Sequence, residues 1–101
     1  MYTYTTPTIT CTLQGAEFSQ VDYVRVAFVG RLGRKLVKSI DIADIDAETG
    51  QFVIHLTQRE TAMLGAGSID IQARVRYNDG TVQSTAKITA EMKDMIDKVV
   101  I

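Results

Sequence analysis

The side chains that could perform chemistry are few in this sequence and lie far apart. His55 is the only histidine and Cys11 the only cysteine among 101 residues. His55 takes the outward phase of an alternating stretch, and no second ligand follows at a spacing that a metal site requires. Cys11 takes the inward phase of its stretch, which favours a buried, inert thiol over a nucleophile. Neither residue predicts a catalytic or metal-binding site.

An acidic loop, in which Asp44, Asp46 and Glu48 alternate, is the candidate for a cation site. Alternating carboxylates can ligate calcium, but this loop lacks the twelve-residue spacing and the central glycine of an EF-hand. A solvated acidic turn is the favoured interpretation, and a calcium site is the alternative.

Three arginines, Arg25, Arg74 and Arg76, are the candidate for a basic stripe on neighbouring strands. No aromatic residues are interleaved with them to stack on bases. The formal net charge of −1 also provides no strong field that would attract phosphates. No catalytic triad, carboxylate pair or phosphate loop can be argued from residue spacing. We therefore expect no enzymatic activity, no cofactor, no metal ion and no nucleic-acid partner.

The length and composition predict a single domain over residues 1–101. A chain of this size buries roughly 65% of its unfolded surface, which is enough for one core. One cysteine excludes an internal disulfide framework and suits a reducing compartment. Apolar runs stay shorter than the ~18 residues of a membrane span, and residues 1–7 lack the features of a secretion signal. We expect a protein made in the cytoplasm, with no membrane partner.

Residues 68–89 carry the clearest structural signal, because apolar and polar residues alternate there with the period of a half-buried strand. The predicted inward residues are Ile69, Ile71, Ala73, Val75 and Tyr77, and the outward ones are Asp70, Gln72, Arg74 and Arg76. A turn at Asn78-Asp79-Gly80 follows, where Gly80 can take the positive φ of a tight hairpin. The returning arm is predicted to place Val82, Ala86 and Ile88 in one phase. The stretch predicts a long antiparallel hairpin.

Four further strands are predicted, at residues 8–14, 21–29, 35–42 and 51–56, with turns at 15–20 and 30–34. Lys38 interrupts the apolar phase of its strand, which indicates an edge strand guarded by an inward-pointing lysine. Thr57 and Glu60 have the spacing of a capping box, so a short helix is expected near 57–64. Gly65-Ala66-Gly67 should end this helix.

The C-terminal residues change period and predict a short amphipathic helix near 91–98. It is followed by an apolar tail, so that residues 91–101 form one unit, whereas residues 1–7 form an extended arm. This helix is predicted either to cover its own sandwich or to pack on a neighbouring subunit. The residues of the predicted partner interface are Met92, Met95, Ile96, Val99, Val100 and Ile101.

Together these elements predict a mainly all-β protein, an antiparallel β-sandwich of 6–7 strands with two short helices. Four stretches also carry a resemblance to known proteins: residues 54–61, 69–76, 79–81 and Ile101. They resemble short prophage-encoded proteins of Gram-positive gut bacteria and, more distantly, the N-terminal domain of phage baseplate upper proteins. The shared features are a strand that ends in Leu-Thr-Gln, a short helix, and a strand that reads Ile-Gln-x-Arg.

The resemblance implies an immunoglobulin-like sandwich that serves as an assembly module in a virion. It also implies a non-enzymatic accessory protein of the tail or baseplate type, whose partners are other phage structural proteins or further copies of itself. Such a protein would be made in the bacterial host cytoplasm and would act there during assembly or enter the virion. The alternative function is a small sandwich module that binds a ligand such as a glycan.

Overall fold

The structure is a computed structural model that describes residues 1–13, 18–85 and 87–101, without the side chain of Phe18. Most of the turn predicted at 15–20, and the predicted strand positions Gln14 and Ala86, lie outside the described residues. In chain order, its elements are the strands β1 (Thr8–Thr12), β2 (Val21–Val29), β3 (Lys35–Ile40) and β4 (Gln51–His55), the helix α1 (Gln58–Leu64), and the strands β5 (Gly67–Tyr77), β6 (Val82–Ser84) and β7 (Ile88–Met92). Two 3-10 turns cover Phe18–Gln20 and Ile42–Asp44.

The seven strands form two sheets, and all their pairings are antiparallel. The small sheet contains only β1 and β4. The large sheet has the order β3-β2-β5-β6, and β7 pairs with β5 on the same side as β6. The core lies between the sheets, where Phe52 and Ile54 of the small sheet belong to one cluster with Val24, Val26 and Phe28 of β2. The predicted all-β antiparallel sandwich is therefore confirmed.

Strand β5 lies at the centre of the large sheet and has the predicted alternation. Ile69, Ile71, Ala73 and Val75 are between 0 and 7% exposed, and Tyr77 is half-buried. The intervening Gln72, Arg74 and Arg76 are exposed. Burying such apolar side chains contributes roughly 1.5–3 kcal/mol each for the larger ones. This row of inward residues is the floor on which the small sheet packs.

The returning arm of the hairpin differs from the prediction because it is broken into two strands. In β6, Val82 lies opposite Arg76, whereas in β7 Ile88 lies opposite Ile71, and the two registers are offset by one residue. Cross-strand partners share a face, so Val82 faces outward with Arg76 and Ile88 faces the inner side with Ile71. The prediction that Val82 and Ile88 share one phase is wrong, because the extra residue reverses the alternation as in a β-bulge.

Thr85 occupies the break between β6 and β7 and satisfies the backbone there. Its amide donates to the carbonyl oxygen of Ala73 at 2.9 Å, and its hydroxyl accepts from the Ala73 amide at 3.0 Å. The turn at the tip of the hairpin is as predicted, with a φ of 89° at Gly80. Hydrogen bonds thus continue along β5 although its partner strand is interrupted.

The outer strand on the other side of the sheet, β3, is guarded as predicted. Lys38 lies opposite Val26, whose side chain is buried, so Lys38 points to the inner side of this edge. Its Nζ lies 2.6 Å from Oε2 of Glu60 on α1. The lysine closes this side of the sandwich by an ion pair and also discourages a further strand from pairing there.

Helix α1 begins with the predicted capping box. The Thr57 hydroxyl accepts from the Glu60 amide at 3.2 Å, and the Glu60 carboxylate accepts from the Thr57 amide at 2.9 Å. The helix ends at Gly65, whose φ is 77°. Its last carbonyl, that of Leu64, presses against Gly30, where a Cβ would overlap the oxygen. Glycine at position 30 therefore allows the helix end to pack on the β2–β3 turn.

The helix predicted near 91–98 is wrong. Strand β7 runs to Met92, and residues 93–101 form neither helix nor strand apart from one bridge between Tyr2 and Lys93. The spacing of Met92, Met95, Ile96 and Val99 matched a helix, but a helix of about two turns is marginal in water. Pairing of Glu91 and Met92 with the start of β5 satisfies the backbone of β7 and fixes Met92 on the inner face.

The arm over residues 1–7 is not uniformly extended, because it turns at Tyr4, whose φ is 57°. The Thr3 amide donates to the Lys93 carbonyl at 3.0 Å, and the Lys93 amide donates to the Met1 carbonyl at 2.7 Å. Thr61 of α1 accepts from the Thr5 amide and donates to the Thr5 carbonyl. The arm is therefore held between the end of β7 and α1.

We predict that Val75→Asp unfolds the domain, because an unpaired charge buried on β5 costs several kcal/mol against a total stability of about 5–15 kcal/mol. The matched control is Arg74→Asp, one residue away on the exposed face. There we expect a change within about 0.5 kcal/mol, because Arg74 lies opposite Arg25 and the like charges gain nothing from each other. Thermal melts would contradict this register if they ranked the two variants in the opposite order.

A second prediction concerns the pH dependence of the Glu60 interactions. Desolvation raises the pKa of Glu60, but the hydrogen bond from Lys38, those from Thr57 and the charge of Lys38 outweigh it, so the pKa lies below its ordinary 4.5. Because the pKa of Glu60 is lower in the folded chain than in the unfolded chain, ionised Glu60 stabilises the fold at pH values above its unfolded pKa. This contribution is lost as the pH falls through the folded pKa. Glu60→Gln should therefore cost about 1 kcal/mol or less at pH 7, and the difference from wild type should shrink below pH 4.5.

The measurement is urea unfolding at several pH values, with Glu48→Gln as the control. Glu48 makes no ion pair within the described part of the chain. A Glu60→Gln deficit that is constant from pH 7 to pH 3 would contradict the proposed role of the charge.

Candidate interaction site

The residues that could perform chemistry do not converge on one place. The exposed His55 lies opposite Thr8 in the small sheet, with Nδ1 at 3.1 Å from the Thr8 hydroxyl. The carboxylate of Asp46 accepts from the amide of Glu48 at 2.9 Å and from that of Thr49 at 3.4 Å, so it serves its own loop. Within residues 1–13, 18–85 and 87–101, no three histidine, cysteine or acidic side chains are grouped to hold a metal ion.

The three arginines lie on the outer face of the large sheet, as the strand pattern predicted. Arg25 and Arg74 are directly opposite each other on β2 and β5. Arg76 donates to the Asp22 carboxylate at 2.8 Å, which raises the pKa of the guanidinium, and its charge lies 5.3 Å from the centre of the Tyr23 ring. One of the three charges is therefore already paired within the chain.

A groove of about 590 Å³ lies between the two sheets. It lies along the side of β1 that is not paired with β4. Four of the five residues of β1, Ile9 to Thr12, line it together with Leu13, and Ser84, Thr85 and Ile88 line the opposite rim. Its floor is apolar and consists of core side chains from both sheets, namely Leu13, Val26, Phe52, Ile71, Ala73 and Val75. We call this feature the inter-sheet groove.

The lining of the inter-sheet groove contains no charged side chain among the described residues. Its polar members are threonine, serine and glutamine residues at the rims, such as Thr10, Thr12 and Gln83. No buried side-chain nitrogen or oxygen in the described ranges lacks a hydrogen-bond partner. The groove therefore offers apolar surface and strand edges, and it does not present a group prepared for proton transfer or nucleophilic attack.

The edge strands β3 and β1 differ in how they resist further pairing. Strand β3 carries Lys35 and Lys38, and Lys38 points inward. Strand β1 reads Thr-Ile-Thr-Cys-Thr and has no charge and no proline within its bounds. Threonine and isoleucine favour extended backbone, and an unguarded edge of this kind exposes amide and carbonyl groups to another strand. The groove thus runs beside an uncharged edge that can accept a further strand. Strand β4, the other edge of the small sheet, also lacks aspartate, glutamate, lysine and arginine, but it contributes only Phe52 to the groove.

The predicted partner interface is divided by the structure into buried and exposed members. Met92 is 1% exposed and belongs to the core, so it cannot contact a partner without unfolding, and that part of the prediction is wrong. Met95 is half-buried, and its amide donates to the Thr3 hydroxyl at 3.0 Å. The exposed members are Ile96 at 101%, Val99 at 60%, Val100 at 42% and Ile101 at 95%.

The last residue contacts α1 through a pair of hydrogen bonds. The side-chain amide of Gln58 donates to the backbone oxygen of Ile101 at 2.7 Å, and the Ile101 amide donates to Gln58 Oε1 at 2.9 Å. This is the donor and acceptor pair that a neighbouring strand would offer. Both bonds are exposed to solvent, and the Ile101 side chain stays in water.

Sequence reasoning missed the inter-sheet groove, because a groove depends on which strands pair and how many strands each sheet has. One signal was present, namely that residues 8–12 contain no charge. The role of residues 1–7 was also missed. Thr3 is 3% exposed, and its hydroxyl accepts a hydrogen bond from the Met95 amide. The polar composition of residues 1–7 does not by itself indicate this burial or this contact.

Comparisons with known proteins give no further guide to this site. No family model, curated protein or solved structure matches the chain. In the described part of the chain, no helix has the length and apolar character needed to cross a membrane.

We predict that Cys11 reports on the inter-sheet groove. Burial raises the pKa of its thiol above the ordinary 9.0, so a neutral thiol reagent should modify the folded chain more slowly than the urea-unfolded chain at pH 7.5. The pKa of the Cys11 thiol is higher in the folded chain than in the unfolded chain. The contribution of Cys11 to the free energy of unfolding is therefore fully present below pH 9 and is lost as the pH rises through the folded pKa. Equal labelling rates for the folded and unfolded chains would contradict the position of Cys11.

Proposed function

We propose that the protein is a non-enzymatic accessory component of a phage or prophage particle, of the tail or baseplate type, and that it acts through protein–protein contacts. The observation that carries the proposal is the inter-sheet groove beside an unguarded strand edge, on a chain that also exposes an apolar tail. The partners are other phage structural proteins or further copies of the chain. We expect the protein in the host cytoplasm during assembly or in the finished virion.

The groove favours a polypeptide partner because of what its two rims can bind. The free edge of β1 and the outer edge of β6 and β7 present backbone amides and carbonyls on either side of an apolar floor. An extended chain satisfies such groups along its length, and its alternate side chains fill the floor. No other class of ligand matches a row of backbone donors and acceptors as fully.

The order of the strands supports the immunoglobulin-like sandwich that the resemblance implies. In chain order, the pairings of β1 with β4, and of β2 with β3 and β5, correspond to strands B with E and C with C′ and F of an immunoglobulin sandwich. Strands β6 and β7 then take the place of strand G. The first strand of that fold, A, pairs beside B, and among the described residues no strand occupies this position.

The alternative function, a ligand-binding module of the glycan type, draws support from the groove volume alone. A cavity of about 590 Å³ lies within the roughly 300–1,000 Å³ of small-molecule sites. Glycan sites, however, use an exposed aromatic ring as a platform. The only ring in the lining, Phe52, is 2% exposed and faces the core. The groove is therefore better suited to an aliphatic strand than to a sugar.

The test is mass spectrometry of phage particles purified after induction of the host. We expect the chain to be present at a fixed ratio to tail proteins, and a host cytoplasmic protein of equal abundance serves as the control for carry-over. We further expect that Thr10→Lys, which places a charge on the free edge of β1, reduces incorporation or particle yield. Particles that lack the chain and form normally after its deletion would contradict the proposal.

A further inference from the structure

We propose that the inter-sheet groove receives residues 98–101 of a second copy of this chain, added as a strand beside β1. The inference rests on the proposed function in protein–protein contacts and deepens it, because it names the partner and the contacting segment. Each copy has one groove and one tail, so the contact is head-to-tail. Such contacts continue beyond a dimer unless the geometry closes a ring.

The shape of the groove indicates that its occupant is a strand. Residues 9–13, which comprise most of β1 and the residue after it, line the groove in succession, so it follows the chain for about 17 Å. Its floor is the inner face of both sheets, on which a strand's alternate side chains can pack. In an immunoglobulin sandwich the equivalent position, beside strand B, is occupied by strand A. A strand supplied by another molecule would complete the sandwich.

The charge and length of the tail match the groove. The groove lining has no charge, and Val99, Val100 and Ile101 form an exposed, uncharged run of residues with high strand propensity. Residues 98–101 span about 13 Å when extended, which fits within β1. In a strand, Val99 and Ile101 would face the floor, whereas Lys98 and Val100 would face water. The one charged side chain in the segment, that of Lys98, thus stays solvated.

The contact of Ile101 with Gln58 shows how the tail is held before association. Its two hydrogen bonds, 2.7 and 2.9 Å long, are exposed, so water competes with them. Transfer to β1 exchanges these two bonds for a ladder of backbone hydrogen bonds and removes apolar side chains from water. Gln58 is therefore expected to retain the tail on its own molecule, and Gln58→Ala should promote association.

The experiment uses Cys11, the only cysteine of the chain, as one half of a disulfide. Val99→Cys, Val100→Cys and Ile101→Cys are prepared singly and oxidised mildly. Inward residues of adjacent strands come within disulfide distance. We expect whichever of Val99→Cys and Ile101→Cys lies opposite Cys11 to give a ladder of linked chains on a non-reducing gel, and Val100→Cys to give none. Adding Cys11→Ser to each variant should abolish the ladder.

Three outcomes overturn the inference. Equal cross-linking by Val100→Cys would indicate random collision, and a disulfide within one chain would show that the chain's own tail fills the groove. The third is a full-length chain that stays monomeric in sedimentation at every concentration, with no cross-linked ladder.

Matched variants separate assembly from folding. Thr10→Lys and deletion of residues 98–101 should shift the sedimenting mass to that of a monomer. Their melting temperatures should equal that of the wild type at a concentration too low for association, because association itself raises the melting temperature. Ser39→Lys, at an exposed position of the guarded edge strand β3, should leave the mass unchanged. A chain that remains monomeric but is found in phage particles would end this inference and leave the proposed function intact.

Discussion

The structure depends on the row of apolar side chains along the inner face of β5. This strand of eleven residues pairs with β2 on one side and with both β6 and β7 on the other, so it organises the large sheet. The small sheet covers that row with only two strands. Strands lie about 4.8 Å apart, so a sheet of two cannot cover a sheet of this width. Helix α1 and the Lys38–Glu60 ion pair close the β3 side, and the inter-sheet groove is the uncovered remainder on the β6 side.

The parts of the fold that depend on local pattern could be predicted from the sequence. The alternation in β5, the capping box of Thr57 and Glu60, and the guarding role of Lys38 each require only neighbouring residues and a known period. The prediction of a C-terminal helix was wrong because the structure of this segment is set by pairing of β7 with β5, about 20 residues earlier in the chain, and the apolar spacing alone does not show that pairing. The register offset between β6 and β7 could not be predicted either, because it also depends on how each strand pairs with β5.

The candidate site is less predictable than the fold, because it consists of what the strands leave unpaired. A strand forms the edge of a sheet when no strand pairs with one of its two sides. The sequence of β1 alone does not show which adjacent strand is missing. Ile96, Val99, Val100 and Ile101 are exposed, and their role in a partner interface stays a prediction. Met92 was wrongly included among them, because its exposure depends on the inner-face position that β7 gives it.

The pairing of Thr3 with Lys93 has a consequence for how the chain folds. Contacts between residues so far apart in sequence require the closure of a loop that spans nearly the whole chain, and long closures carry a larger entropic cost than the hairpins of the large sheet. We therefore expect the β2–β3 and β5–β6 hairpins to form first and the seam between the two chain ends to close last. During that interval the first residues and the tail are both unattached, so newly made copies can meet before each has finished folding alone.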